Sequence, residues 1–80
     1  MDKKIAHYLV MAAFRATGDL ETLLGFLKQH CRPDEYEKFA LGIAGAIDAV
    51  NAGLVDKVLA QFPEIAGEIE ADIAKYGKVL

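Results

Sequence analysis

The chain has 80 residues, of which 54% are hydrophobic and 26% are charged, and its formal net charge is -3. This composition is typical of one globular domain over residues 1–80 and excludes a disordered polar chain. Twelve acidic residues against nine basic ones argue against binding nucleic acid through its phosphates. The single cysteine, Cys31, excludes an internal disulfide, as in a reducing compartment, so we expect a cytoplasmic protein and, from its brevity, a bacterial one.

Two apolar stretches resemble membrane signals. Lys3 and Lys4 precede an apolar run, as in a signal peptide, but the run contains His7, soon meets Arg15 and has no small-residue cleavage site. The second stretch, FALGIAGAI, has nine residues, whereas a bilayer span needs about 20. The sequence therefore predicts no membrane association.

The first helix is predicted over residues 2–16, with Gly18 as its left-handed C-cap. Asp19 is a good N-cap for a second helix over residues 20–30. The segment CRPDE then interrupts the chain. Pro33 suits the first position of a third helix, which is predicted to run to residue 51.

Gly53 is predicted to separate the third helix from a short fourth one over LVDKVLAQF; in the alternative interpretation the two form a single bent helix. Pro63 restarts the chain, and a fifth helix over residues 64–76 ends at Gly77. No stretch alternates for long with the period of a strand. The sequence predicts an all-α fold, a small bundle of four to five short helices.

Helices two, three and five each have a bulky apolar face at the helical period. The face of helix five consists of Ile65, Ile69, Ile73 and Tyr76. We predict a core made of the following residues: Leu9, Leu20, Leu24, Leu27, Phe39, Ile43, Ile47, Val58, Ile69 and Ile73.

Helix one differs because two of its sides are apolar. Ile5, Leu9, Ala12 and Ala16 form one side, which includes the predicted core residue Leu9. An 80-residue bundle is too small to surround a helix, so the second side is expected to contact another molecule. The predicted homodimer interface on that side consists of His7, Val10, Met11 and Phe14.

Helix three has a smooth flank that contains Gly42 and Gly45. Each glycine inside a helix costs about 1 kcal/mol relative to alanine. We therefore expect a helix to pack close to this backbone, either a neighbouring helix of the same chain or a helix of a second subunit.

Acidic residues are dense in EIAGEIEAD within helix five. In one interpretation they form a solvated helix face. In the other, Glu68, Glu70 and Asp72 form a docking face for a second, basic protein.

No residue pattern predicts catalysis, a metal or another cofactor. His30 and Cys31 are adjacent, so on a helix they point about 100° apart and would not meet as base and nucleophile. Zinc needs three or four protein ligands, and the chain offers two histidines and one cysteine without paired spacing. Helix two presents only Thr22, Lys28 and Gln29 to a DNA groove, which argues against DNA binding.

We therefore predict a small helical protein–protein interaction module that forms a homodimer and acts as an adaptor, a regulatory subunit or an immunity-type inhibitor. An enzyme is the least supported class. The alternative is a carrier of a small apolar ligand or lipid, with a pocket lined by Met11, Phe14, Phe26, Tyr36 and Phe39.

Overall fold

Residues 1–77 form three helical rods. The structure, a computed structural model, describes residues 1–77 except for the side chain of Tyr76. Helix α1 spans Lys3–His30, and helix α4 spans Glu64–Tyr76. Between them, α2 (Pro33–Val50), a π-helical segment (Asn51–Val55) and α3 (Asp56–Gln61) follow one another without a break. Residues 1–77 contain no strand, and the prediction of an all-α fold is confirmed.

Both interruptions between the rods lie directly before a proline. Arg32 has a ψ of 156°, and Phe62 has a φ of -131° and a ψ of 69°, so both residues leave the helical region, as steric contact with the following proline favours. At the start of α2, the Glu35 carboxylate accepts a hydrogen bond of 3.2 Å from the backbone N–H of Arg32. α4 ends at Gly77, as predicted, and Gly77 adopts the left-handed conformation with a φ of 73°.

The helix ends predicted at Gly18 and Gly53 are wrong. α1 continues through Gly18 and Asp19 for 28 residues, so the predicted helices one and two are a single helix. Glycine permits a helix to end without forcing it, because its cost inside a helix is only about 1 kcal/mol. Gly53 lies within the π-helical segment, so the alternative of one continuous helix is correct for helices three and four.

The core lies where the first half of α1 meets the π-helical segment, α3 and α4. Val58 and Ile69 are buried there, as predicted. The buried apolar residues are Ala6, Val10, Ala13, Val55, Val58, Ile65 and Ile69. The predicted position of Tyr76 in the stripe of helix five lies outside the described side chains.

The rest of the predicted core is less buried than expected. Phe39 and Ile73 are exposed, and these two assignments are wrong. The second half of α1 pairs with the first half of α2 alone, because α4 contacts the opposite end of the molecule, so no third helix completes a core there. For the same reason three predicted core residues in the second half of α1 are only half-buried: Leu20, Leu24 and Leu27. Leu9, Ile43 and Ile47 are also half-buried, and Leu9 packs against the edge of the core.

The molecule is a thin layer rather than a compact bundle. Its extents are 44 × 26 × 14 Å, and its radius of gyration is 14.8 Å, whereas a compact chain of this length has about 12 Å. Its accessible surface is 5626 Å², whereas a compact 8.7 kDa monomer exposes about 4,700 Å². The layer therefore carries about 900 Å² more surface than a compact monomer of its mass.

Replacing Gly18 with alanine is expected to raise the free energy of unfolding by about 1 kcal/mol, because alanine is the better helix former and position 18 is inside a helix. No atom of a neighbouring element lies within 4 Å of the added Cβ. Gly77→Ala is the opposite control and is expected to lower stability, since the φ of Gly77 is positive. Urea titration followed by circular dichroism measures both changes. A loss of stability in Gly18→Ala would contradict a continuous α1.

Candidate functional site

One side of the α1–α2 layer is apolar and uncovered. Along α1, Ile5, Tyr8, Leu23 and Phe26 recur at helical spacing and are all exposed. The exposed fraction is 70% for Tyr8 and 56% for Phe26. The small residues between them, at positions 12 and 16, are exposed on the same side. An apolar stripe therefore follows both halves of α1, with the exposed charges of Arg15 and Asp19 between them.

The neighbouring helix widens this stripe into a surface. A groove of about 460 Å³ separates α1 from Val50 and Leu54, which lie at the end of α2 and in the π-helical segment. At 100° per residue, Phe39 and Ala46 project within about 40° of Val50, on the same side of α2. We define the open face as Ile5, Tyr8, Ala12, Ala16, Leu23, Phe26, Phe39, Ala46, Val50 and Leu54.

The glycine flank of α2 has no close neighbour within the chain. A Cβ placed on Gly42 or Gly45 would meet no atom of another element within 4 Å. The interpretation in which a helix of the same chain packs tightly against these glycines is therefore wrong. Close packing by a second subunit stays a prediction.

The structure reverses the expected roles of the two sides of α1. Val10 has an exposed fraction of 0%, Phe14 packs against the core, and His7 Nε2 lies 3.8 Å from Glu68 Oε2 of α4. Val10 is thus fully buried within the chain, and Phe14 is half-buried against the core. The predicted interface of His7, Val10, Met11 and Phe14 is therefore corrected at Val10, whereas the half-buried His7, Met11 and Phe14 stay a prediction.

Ion pairs connect the start of α1 to α4. Lys3 Nζ lies 2.8 Å from Glu68 Oε1 and 3.6 Å from Glu64 Oε1. The hydrogen bond with Lys3, together with its positive charge, lowers the pKa of Glu68. The hydrogen bond with Glu68 and the charges of both glutamates raise the pKa of Lys3. These contacts favour the arrangement in which the Glu64–Glu68 side of α4 is turned toward α1.

The three carboxylates predicted as a docking face do not share one surface. Glu68 is engaged by Lys3, and Glu70 lines a cleft between α1, α3 and α4. Asp72 is half-buried. Glu68 and Glu70 project about 160° apart on α4, because two residues advance a helix by about 200°. The predicted docking face at Glu68, Glu70 and Asp72 is corrected for this reason.

A further apolar recess is the cleft beside Glu70. Its volume is about 320 Å³, and Val10, Phe14, Leu59 and Ile69 contribute to its wall. Of the aromatic residues predicted to line a ligand pocket, Phe14 lines this cleft. Phe26 and Phe39 belong to the open face instead. The residues predicted for the pocket therefore do not converge.

The end of α1 carries the two residues considered for nucleophilic chemistry. The ring of His30 packs on Phe26 with 4.4 Å between ring centroids. Cys31 is a half-buried free thiol. Within residues 1–77, no group of three or more His, Cys, Asp or Glu side chains is placed to hold a metal ion.

The continuity of α2, the π-helical segment and α3 bears on membrane association. The helix over Pro33–Gln61 has 29 residues and, by length and composition alone, is long and apolar enough to cross a membrane. The nine-residue length of FALGIAGAI therefore no longer argues against a membrane segment. Only 11% of the most apolar window of this helix is buried within the molecule.

No family model matches the sequence, and no curated protein or solved structure matches it either. By its structure the protein is a small all-α protein. The open face is its most prominent surface feature. Sequence reasoning missed Tyr8, Leu23 and Phe26 as members of one stripe, because the predicted break at Gly18 divided it. A helical projection continued through Gly18 and Asp19 would have placed all three on one side of α1.

Proposed function

We propose that this protein is a protein–protein interaction module that forms a homodimer through the open face. It belongs on this view to the adaptors, regulatory subunits or immunity-type inhibitors, and not to the enzymes. We further propose that it works in the cytoplasm, in a bacterial cell. The single observation that carries the proposal is a thin molecule with one long apolar side left uncovered.

The surplus surface has the size that an interface needs. The molecule exposes about 900 Å² more than a compact monomer of its mass. A standard protein–protein interface buries about 800 Å² on each partner. Monomeric proteins rarely expose one contiguous apolar patch larger than a few hundred Å². Burying about 800 Å² per copy would therefore bring the exposed surface of the molecule back to the ordinary range.

A second copy fits the open face better than an unrelated partner for a geometric reason. The face consists of two antiparallel helices with a groove between them. A second copy related by a two-fold axis presents the same helices and the same groove to the first. Stacking two such layers makes a four-helix core from two incomplete halves. The half-buried Ile43, which projects within about 40° of Phe39 and Val50 on α2, would then lie within that core.

A membrane surface is the competing occupant of the same face. The middle of the Pro33–Gln61 helix carries the exposed side chains of Asp48 and Asp56, which a hydrocarbon environment disfavours. α2 also packs along α1, so this helix has a partner within the chain. Both features favour a protein partner over lipid.

Replacing Leu23 with lysine tests the proposal, because Leu23 lies on the open face and is already exposed in one copy. Analytical ultracentrifugation at tens of micromolar is expected to show a dimer for the wild type and a monomer of similar helical content for Leu23→Lys. Glu21→Lys is the matched control: it introduces the same residue two positions away, about 160° around the helix, and is expected to stay dimeric.

Three outcomes would contradict the proposal. A monomeric wild type would exclude the homodimer. A dimer that survives Leu23→Lys and a second open-face variant, Tyr8→Lys, would show that another surface mediates it. Flotation of the monomeric protein with phosphatidylcholine vesicles, abolished by the same two variants, would assign the open face to lipid.

A carrier of a small apolar ligand is the second candidate function, and the cleft beside Glu70 favours it. A volume of about 320 Å³ is at the lower end of ligand pockets, and its wall is apolar apart from one carboxylate. Mass spectrometry of the purified protein under native conditions would show a retained ligand as added mass. Phe14→Ala would be expected to reduce its occupancy.

A further inference from the structure

Two charged residues lie at the middle of the open face. Arg15 and Asp19 are both exposed on α1, between the apolar pairs at its two ends. At 100° per residue, Asp19 projects within about 20° of Tyr8 and Phe26, and so does Arg15. Within residues 1–77, neither side chain has an ion-pair or hydrogen-bond partner. These two opposite charges are therefore free to be paired by a molecule that covers the face.

The charges and the large aromatic residues are arranged symmetrically about one point. Arg15 and Asp19 lie the same number of residues before and after position 17, and so do Tyr8 and Phe26. Tyr8 and Phe26 are 18 residues apart, about five full turns at 3.6 residues per turn, so they project in the same direction. A single two-fold axis at position 17 thus exchanges aromatic with aromatic and positive with negative.

We propose that the second copy binds with its α1 antiparallel to the first, about a two-fold axis at position 17. Arg15 of each copy then pairs with Asp19 of the other, and Tyr8 of each packs on Phe26 of the other. This inference rests on the proposed homodimer and adds its register. Each contact occurs twice, as an isologous interface requires.

The small residues near the axis allow the two helices to approach. Ala12 and Ala16 lie on the open face close to position 17, where crossing helices are nearest to each other. Bulkier residues lie farther from position 17, where two crossing helices move apart and leave room for larger side chains. A parallel pairing of the two α1 helices would instead set Arg15 against Arg15 and Asp19 against Asp19, which repel.

Charge reversal distinguishes the antiparallel from the parallel arrangement of the two α1 helices. In the antiparallel register, Arg15→Asp or Asp19→Arg alone creates two like-charge contacts and is expected to raise the dimer dissociation constant about tenfold or more. The double variant Arg15→Asp/Asp19→Arg restores both pairs and is expected to dimerise within about threefold of the wild type. An equimolar mixture of the two single variants is expected to form a heterodimer tighter than either homodimer. Sedimentation equilibrium measures all four species, and circular dichroism verifies that each variant keeps its helical content.

Cross-linking provides a measurement that does not depend on charge. In a Cys31→Ser background, Tyr8→Cys and Phe26→Cys are made as separate variants, and both positions are exposed in one copy. When the mixture is treated with a short bismaleimide, the antiparallel register predicts a cross-link between the two different variants. Each variant alone is expected to form little cross-linked dimer. Efficient self-cross-linking of both variants indicates the parallel arrangement and overturns the proposal.

Failure of the register and failure of the homodimer give different results. A dimer that Leu23→Lys dissociates, but whose affinity is unchanged by both single charge reversals, overturns the register and leaves the open face as the interface. A monomeric wild type overturns both. Single reversals that weaken the dimer without rescue by the double variant also overturn the Arg15–Asp19 pairing.

Discussion

Ile65→Ala is expected to lower the free energy of unfolding by about 2–5 kcal/mol, the cost of truncating a fully buried aliphatic side chain and leaving a cavity. Ile65 has an exposed fraction of 0% and lies in the core beside Val10 and Ile69. Domains of this size have about 5 kcal/mol of stability in total, so the variant is expected to be largely unfolded at moderate temperature. Urea titration followed by the helical circular dichroism signal measures the change.

Ile73→Ala is the matched control, because it removes the same atoms from the same helix. Ile73 is 44% exposed, so its truncation is expected to cost less than about 1.5 kcal/mol. Equal losses in the two variants would mean that α4 buries its whole isoleucine stripe, as the sequence pattern predicts, and would contradict the structure at Ile73.

The second large effect is a dependence of stability on protein concentration. If a second copy covers the open face, dimerisation stabilises the folded state by mass action. The stabilisation is about 2.7 kcal/mol at a concentration 100 times the dissociation constant. The melting temperature of the wild type is therefore expected to rise steadily over a dilution series. Circular dichroism measures the melting temperature of each sample, and cells of different path length keep the signal constant across the dilution series.

Leu23→Lys supplies the control for this series. Its melting temperature is expected to be lower than that of the wild type at high concentration and nearly independent of concentration. A wild-type melting temperature that stays constant over the whole series would show that the folded unit is a single chain. Glu21→Lys is expected to follow the wild type.

The candidate site could be predicted only in part. The sequence indicates that α1 has two apolar sides and that one of them exceeds what a small chain can bury. It does not indicate which side, because hydropathy is similar on both. The structure buries the side with Ala6, Val10 and Ala13, whose small side chains let the neighbouring elements approach closely, and leaves the side with Tyr8 and Phe26 open.

The acidic segment illustrates a second limit. Its carboxylates are adjacent in sequence, but helical geometry spreads them around α4. Lys3, far away in sequence, then engages Glu68 at 2.8 Å. A cluster along the chain is therefore not a cluster in space, and only the docking of α4 on α1 decides which carboxylates stay free.

The sequence by itself determines where the chain must leave the helical conformation. Pro33 and Pro63 constrain the residues before them through covalent geometry, whatever surrounds them, and both predicted breaks occur. Tertiary structure decides the breaks at Gly18 and Gly53, where the helix continues. Glycine only makes a turn inexpensive, and a cost of about 1 kcal/mol per residue is smaller than the packing free energy of a long helix. Tertiary structure also decides which side of α1 is buried. That choice depends on how closely other elements can pack against each side, and no local sequence pattern indicates it.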